Sequence, residues 1–245
     1  MDKETLEINE TSPILLSGCA RSGTSLVAGI VNICGAFGGK LTGPTKYNQK
    51  GMFENGHIRD QVEKPYLRSI GKDHLGQYPL PDMDTLTIPI NWKDTIHEVM
   101  IKEGYQKGPW FYKGAKACLI WPVWHYAFPN AKWLIVRRKS SDIAESCLNT
   151  AFMQRCQNRA VLQQIGAKTP YDGWIWWINQ HEKRWVEMIT AGLNVKQIWP
   201  DRMVNGDYSQ IKEAIEWLGL KWKPTEVLAF IEPKLWKTRR KLNQI

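Results

Sequence analysis

Short apolar runs alternate along the chain with longer segments whose apolar residues recur at helical spacing. The apolar runs predict four strands, at 12–17, 110–116, 131–139 and 195–199. The periodic segments predict helices at 24–34, 57–70, 92–103, 140–153, 171–189 and 207–220, with Pro65 kinking or splitting the second of them. Because strands and helices alternate, we expect an α/β fold, a three-layer sandwich with a mainly parallel central sheet.

One segment, 38–56, carries neither pattern and is rich in Gly, Pro, Asn and Lys. A loop of that length inside a compact domain is usually functional. The 245 residues, of which 43% are hydrophobic, predict one compact domain spanning 1–245. The basic C-terminal stretch, 234–245, is expected to be a solvated tail or a ligand clamp.

The charge balance narrows the range of partners. The formal net charge is +9 at pH 7 and the pI is about 9.3. Such a balance favours anionic partners, which include nucleic acid, a phosphorylated cofactor and an acidic polymer. Charge alone does not choose among these three.

The cysteines and histidines do not form a metal-binding pattern. Five cysteines make an odd count with no C-x-x-C pair, so buried thiols are expected rather than disulfides or a zinc knuckle. His125 and His181 have no metal-like partners nearby in sequence, and we predict no metal. No run approaches the roughly 18 apolar residues of a membrane span, and the first residues are charged rather than signal-like. A cytoplasmic protein is therefore expected.

The first candidate site is the glycine-containing loop in SGCARSGTSL, residues 17–26. Its two glycines have the spacing of a nucleotide-triphosphate loop, but Thr24 stands where that loop has its lysine. The backbone N–H groups and the dipole at a helix N-terminus hold a phosphate without that lysine. Arg21 adds a forked positive charge, and the hydroxyls of Thr24 and Ser25 add donors. The loop therefore predicts a phosphate site in which nothing obvious organises Mg²⁺.

A second strand, loop and helix follow in VRRKSSDIAES, residues 136–146. The strand ends at Arg138, and the helix after it is predicted to begin with Asp142 as N-cap and Glu145 as its reciprocal partner. Ser146 follows near the positive end of that helix. This unit predicts a second phosphate site, so a ligand with two separated phosphates would satisfy both.

In these two segments the sequence resembles the sulfotransferase family, whose donor is 3′-phosphoadenosine 5′-phosphosulfate (PAPS). Two further segments carry the resemblance, KGMFE at 50–54 and GDYSQIKEAIEWLGL at 206–220. Four matches in family order span most of the chain. By resemblance, the donor-binding residues are Arg21, Ser22, Gly23, Thr24 and Ser25 for the 5′-phosphosulfate, and Arg138 and Ser146 for the 3′-phosphate.

The resemblance also implies catalytic roles. Arg21 and Lys113 would stabilise the leaving phosphate, and Glu54 would be the base, because members without a catalytic histidine place a glutamate at this point. A carboxylate partly buried by its neighbours in GMFE would have a raised pKa. His57 is the competing base. Steroid- and phenol-type members carry a histidine two positions after the lysine, where this chain has Ala115.

Aromatic and basic residues add further donor contacts to these expectations. Tyr171 or Trp174 is a candidate to stack on the adenine. Some relatives cover the 3′-phosphate with a basic C-terminal segment, which here would be Lys237, Arg239, Arg240 and Lys241.

Three functions fit the sequence. The first is a PAPS-dependent sulfotransferase acting on a hydroxyl or amine, with no nucleic acid as partner. The second is a P-loop small-molecule kinase or phosphotransferase, disfavoured by the missing lysine. The third is a non-catalytic module that binds nucleic acid or another anionic ligand. The sequence does not name the acceptor, whose pocket is expected to be lined by 38–56 and 71–91.

Overall fold

The structure, a computed structural model, describes residues 12–236. Four parallel strands form one sheet with the order β2-β1-β3-β4. The strands are β1 Ile14–Ser17, β2 Phe111–Lys113, β3 Lys132–Val136 and β4 Asn194–Ile198. Each lies within one of the predicted apolar runs or begins one residue before it, so the four predicted strands are confirmed.

Ten α-helices flank the sheet in this part of the chain. They are α1 Thr24–Ile33, α2 Lys64–Ser69, α3 Trp92–Lys102, α4 Trp121–Ala127, α5 Ser140–Leu148, α6 Arg159–Ile165, α7 Pro170–Thr190, α8 Pro200–Val204, α9 Ser209–Trp217 and α10 Pro224–Phe230. A π-helical segment, Ile58–Glu63, runs directly into α2. Pro65 has no N–H to complete an α-helical bond with the preceding turn, which accounts for the predicted split of this helix.

Hydrophobic residues pack on both faces of the sheet. Along β1, Leu15 belongs to one buried cluster, whereas Ile14 and Leu16 belong to the other. This alternation follows from the two-residue period of a strand. The first cluster holds the buried tryptophans of α7, and the second holds the apolar faces of α1 and α9. The three-layer α/β arrangement is therefore confirmed.

The start of α5 differs from the prediction. The helix begins at Ser140, after Lys139, and has no side-chain cap. The amide of Asp142 already donates to the carbonyl of Lys139 at 3.0 Å, so this aspartate lies inside the first turn. A carboxylate at that position is favourable near the helix N-terminus without capping it. The prediction of Asp142 as the N-cap is wrong.

The parallel sheet brings three strand ends to one edge. The loops that follow β1, β2 and β3 all leave from the carboxyl ends of their strands and therefore meet there. The Ser17 hydroxyl donates to the Gly114 carbonyl at 3.1 Å and accepts from the Cys118 amide at 3.3 Å, which joins the β1 and β2 loops.

Two expectations concern the whole chain rather than one element. The five cysteines are all buried free thiols, as predicted. None of the helices between residues 12 and 236 combines the length and apolar character needed to cross a bilayer.

Candidate active site

A cavity of about 870 Å³ opens at the edge where the three strand ends meet. Two acidic residues, Glu54 and Glu145, line it. The positive residues of its wall, within the described chain, are Arg21, Lys46, Arg59, Lys64, Lys113, Lys116 and Arg138. This excess of cations favours an anionic ligand.

The loop after β1 presents the N-terminus of α1 to the cavity. Gly23 caps the helix with φ 97°, and α1 has no side-chain cap and no acidic residue in its first turn. The first amides of α1 are therefore available to an anion. A side chain at Gly23 would be strained, because its Cβ would also lie 2.7 Å from the Trp236 ring.

Four of the five residues predicted in this loop line the cavity, namely Arg21, Gly23, Thr24 and Ser25. The fifth, Ser22, is fully buried, and its hydroxyl has no hydrogen-bond partner among residues 12–236. Ser22 is not part of the cavity wall. The Ser25 hydroxyl donates to the Met52 carbonyl at 3.1 Å, which fixes the 38–56 loop beside the helix.

The two predicted phosphate sites lie side by side. Arg21 Nε donates to Ser146 Oγ at 3.0 Å, and Arg138 donates to the Arg21 carbonyl at 2.7 Å. Burial lowers the pKa of both guanidinium groups, because removal from water penalises the charged form. An anion between them would offset that penalty. We call Arg21, Gly23–Ser25, Arg138 and Ser146 the anion end of the cavity.

Glu54 and Lys113 form an ion pair beside the anion end. The Lys113 ammonium lies 2.8 Å from Glu54 Oε1, and the Arg59 guanidinium lies 3.1 Å from Glu54 Oε2. Burial on its own raises the pKa of Glu54, but Lys113, Lys116 and Arg59 together outweigh it and lower that pKa to about 2. The expectation of a raised Glu54 pKa is wrong, because nearby Arg59 and the sequence-distant Lys113 and Lys116 outweigh the effect of burial.

His57 does not reach the cavity. Its side chain is about half exposed, and its Nδ1 pairs with the carboxylate of Glu103. Of the two predicted bases, Glu54 alone lines the cavity wall.

The candidates for stacking on adenine are not in the cavity. Trp174 is fully buried in the core, so it has no free face and its proposed stacking role is wrong. Tyr171 is at the surface, away from the cavity wall. Among the described residues, the aromatic side chains that do line the cavity are Tyr47, Phe152, Trp177 and Trp236.

Trp236 is a cavity residue that the sequence patterns missed. Its ring stacks 4.2 Å from the Arg138 guanidinium carbon, and its Nε1 donates to Asp201 at 3.0 Å. The sequence feature that could have indicated its role is its position next to a run of basic residues in the tail. Arg239 and Arg240, with Lys237 and Lys241, lie outside the described residues.

A second part of the cavity lining, which we call the inner wall, was predicted only in part. Three of its residues lie in the 71–91 segment predicted to line the acceptor pocket, whereas the others come from α7 and the segment after α5. Its members are Leu75, Gly76, Gln77, Met153, Trp177 and His181.

Comparisons with known proteins bear on the fold. No family model and no curated protein sequence matches the chain. The sulfotransferase domain from the curacin biosynthetic pathway is similar in structure, with a TM-score of 0.54 and 14% identity over 91% of this chain and 79% of that chain. A sulfotransferase from Alicyclobacillus acidocaldarius gives a TM-score of 0.51 and 13% identity, covering 93% of this chain and 90% of that one.

The sulfotransferase domain of the Synechococcus PCC 7002 olefin synthase is similar to the same extent. It gives a TM-score of 0.51 and 15% identity over 96% of this chain and 91% of that one. At such low identities the likeness establishes the fold alone. The chain thus has the architecture of these sulfotransferase domains, in agreement with the fold that the motifs predicted.

Proposed function

We propose that the protein is a sulfotransferase that transfers a sulfuryl group from PAPS to a hydroxyl or amine of an acceptor. The observation that carries this proposal is the pairing of two anion sites, in which Arg21 of the first loop bonds to Ser146 of α5. The N-terminus of α1, held beside Arg138 and Ser146, suits one ligand with two separated phosphates. The shared fold supports the same reading.

The residues of the anion end fit such a donor. The N-terminal amides of α1, with Thr24 and Ser25, would hold the 5′-phosphosulfate, and Arg138 and Ser146 would hold the 3′-phosphate. When bound, PAPS supplies the sulfuryl group and carries the leaving phosphate. Position 24 of the loop is a threonine. A triphosphate-binding loop has a lysine at this position, which contacts the β- and γ-phosphates.

The reaction requires charge stabilisation and a proton acceptor. The S–O bond to the 5′-phosphate breaks with its electron pair going to the phosphate oxygen, while sulfur forms a bond to the acceptor oxygen or nitrogen. Lys113 and Arg21 line the cavity, and their charges would stabilise that phosphate oxygen as it becomes more negative. Glu54 is the carboxylate placed beside Lys113 to receive the proton of the acceptor.

The low pKa of Glu54 belongs to the protein without a donor. Three cations surround this carboxylate and lower its pKa to about 2. The negative charge of a bound donor would neutralise part of the charge on Lys113 and Lys116, and the pKa of Glu54 would rise. Donor binding would thus turn a weak base into a stronger one.

The test is a calorimetric titration of the full chain with adenosine 3′,5′-bisphosphate (PAP), the desulfated donor, and separately with ATP and Mg²⁺. We expect PAP to bind and ATP to bind at least about tenfold more weakly, because one phosphate site stays empty with ATP. The reverse preference would support the kinase alternative. Absence of binding to both would contradict the proposal, and binding that requires a long oligonucleotide would support the nucleic-acid alternative.

A further inference from the structure

The inner wall is one continuous surface that connects to the catalytic ion pair. The Lys116 ammonium affects Glu54 electrostatically, and the Lys116 stem packs against Gly76 so closely that a Cβ on this glycine would lie 2.7 Å from Lys116 Cγ. The Gly76 carbonyl accepts a hydrogen bond from Trp177 Nε1 at 2.7 Å. The His181 ring lies 4.2 Å from the Trp177 ring, centroid to centroid. His181 is fully buried in the free protein and borders the cavity beside Trp177.

The hydrogen bond of His181 determines its tautomer. Its Nδ1 lies 2.9 Å from the Trp177 carbonyl, and because a carbonyl only accepts, Nδ1 carries the proton. Burial lowers the pKa of His181 to about 4, so the imidazole is neutral at physiological pH. Its Nε2 is consequently a hydrogen-bond acceptor. This atom is buried and has no partner among residues 12–236.

The other polar side chain of the inner wall has no acceptor to spare. Gln77 is buried, and its Nε2 donates to the Phe152 carbonyl at 2.7 Å. Its Oε1 accepts from the amides of Gln154 and Arg155, both at 3.0 Å. Leu75, Met153 and Trp177 supply the remaining surface. Within the described wall, His181 Nε2 is a lone unsatisfied acceptor on an otherwise apolar surface.

An unpaired buried acceptor is unfavourable until a ligand supplies a donor. We propose that His181 Nε2 accepts a hydrogen bond from a hydroxyl or amine of the acceptor substrate, and that this substrate is a compact, mainly apolar alcohol or amine rather than a carbohydrate. A carbohydrate would bring several hydroxyls to a wall that offers one acceptor. The inference rests on the proposed function, because it assigns the inner wall to the acceptor.

The experiment compares two ligands of the same shape in the PAP-saturated protein. Naphthalene-2,6-diol has two hydroxyl donors, whereas 2,6-dimethoxynaphthalene has none. We expect calorimetry to show that the diol binds about tenfold more tightly, and that His181→Phe reduces this ratio at least about threefold. His125→Phe is the matched control, because His125 also has a buried nitrogen without a partner in the described chain but lies outside the cavity wall. It should keep the wild-type ratio.

A second measurement needs no variant and guards against misfolding of His181→Phe. In the wild-type protein with ¹⁵N-labelled histidine, the diol should shift the His181 Nε2 resonance towards that of a hydrogen-bonded nitrogen, and the dimethoxy compound should not. A merely structural histidine would not respond differently to the two ligands.

Failure of this inference is distinguishable from failure of the proposed function. Equal binding of the two naphthalenes, an unchanged ratio in His181→Phe, or glucose binding as tightly as the diol would overturn the role of His181 while PAP still binds. Loss of PAP binding itself would instead count against the donor assignment.

Discussion

The anion end and the inner wall line one cavity and differ in their chemistry. The anion end holds two arginines whose burial penalises their charge, and it offers an anion the N-terminus of α1 and charged hydrogen-bond donors. The inner wall is neutral, and its one unsatisfied group among the described residues is the imidazole nitrogen of His181. Strong electrostatics favour binding of an anionic ligand whose charge does not vary. A neutral wall with one polar atom instead selects among ligands by their shape and by a single hydrogen bond.

The largest effect should come from the ion pair between the two regions. Glu54→Gln removes the carboxylate that we propose as the proton acceptor, so we expect turnover to fall by about 10²- to 10⁴-fold. PAP affinity should stay within a few-fold of the wild-type value, because Glu54 does not belong to the anion end. The measurement is PAP release from PAPS with naphthalene-2,6-diol as acceptor.

The control for this variant is the competing base. His57→Asn should leave turnover nearly unchanged, since His57 faces Glu103 and not the cavity. If Glu54→Gln turns over normally while His57→Asn does not, Glu54 is not the base and the loop around His57 rearranges during the reaction.

A smaller effect is expected on stability at low pH. The folded protein lowers the pKa of Glu54 from 4.5 to about 2, so this carboxylate contributes stability that is fully present above about pH 4.5 and is lost as the pH falls to about 2. The stability difference between the wild type and Glu54→Gln should therefore shrink over this window, by up to about 3 kcal/mol. Urea unfolding at several pH values measures it.

The comparison variant for the pH series is Glu98→Gln, which breaks an exposed pair with Lys102 on α3. Its effect should stay within about 0.5 kcal/mol throughout. A wild-type minus Glu54→Gln difference that is constant from pH 5 to pH 2 would show that the cations around Glu54 do not hold it ionised.

The smallest of the three effects separates two neighbouring arginines. Arg138→Ala removes a charged donor from the anion end, and we expect PAP affinity to fall by about 1.5–3 kcal/mol. Arg137→Ala is the matched control, because the Arg137 guanidinium bonds to Gln197 at 2.8 Å and to Glu182 and does not line the cavity. Binding of the diol should be nearly the same in both variants. Equal losses of PAP affinity would mean that the effect is structural.

The two regions also differ in how far the sequence could predict them. The four strands, α1, α5 and α7 were predicted from local periodicity. The residues of the anion end lie in two short segments, whose residue types alone predict phosphate binding. The resemblance also selected Arg138 rather than its neighbour Arg137, and Arg138 is the one of the two that lines the cavity.

The inner wall depends on contacts between distant residues. The Trp177 indole bonds to the Gly76 carbonyl across 101 residues, and no local pattern announces that pairing. His181 looked like a lone histidine on an amphipathic helix. The pKa of Glu54 was mispredicted for the same reason. The apolar residues of GMFE indicate burial, but no local pattern indicates that Lys113, at the end of β2, and Lys116, in the loop after it, lie close to Glu54.

The hydrogen bond between Arg21 and Ser146 has a consequence for competition among nucleotides. It ties the loop before α1 to Ser146, the seventh residue of α5, so the residues assigned to the two phosphates are held beside each other. If the N-terminus of α1 takes one phosphate and Arg138 with Ser146 takes the other, as proposed, the site recognises a fixed separation between two phosphates. A nucleotide with all its phosphates on the 5′ position then occupies only one of the two phosphate positions. The affinity of a competing nucleotide should therefore depend on the spacing of its phosphates rather than on their number.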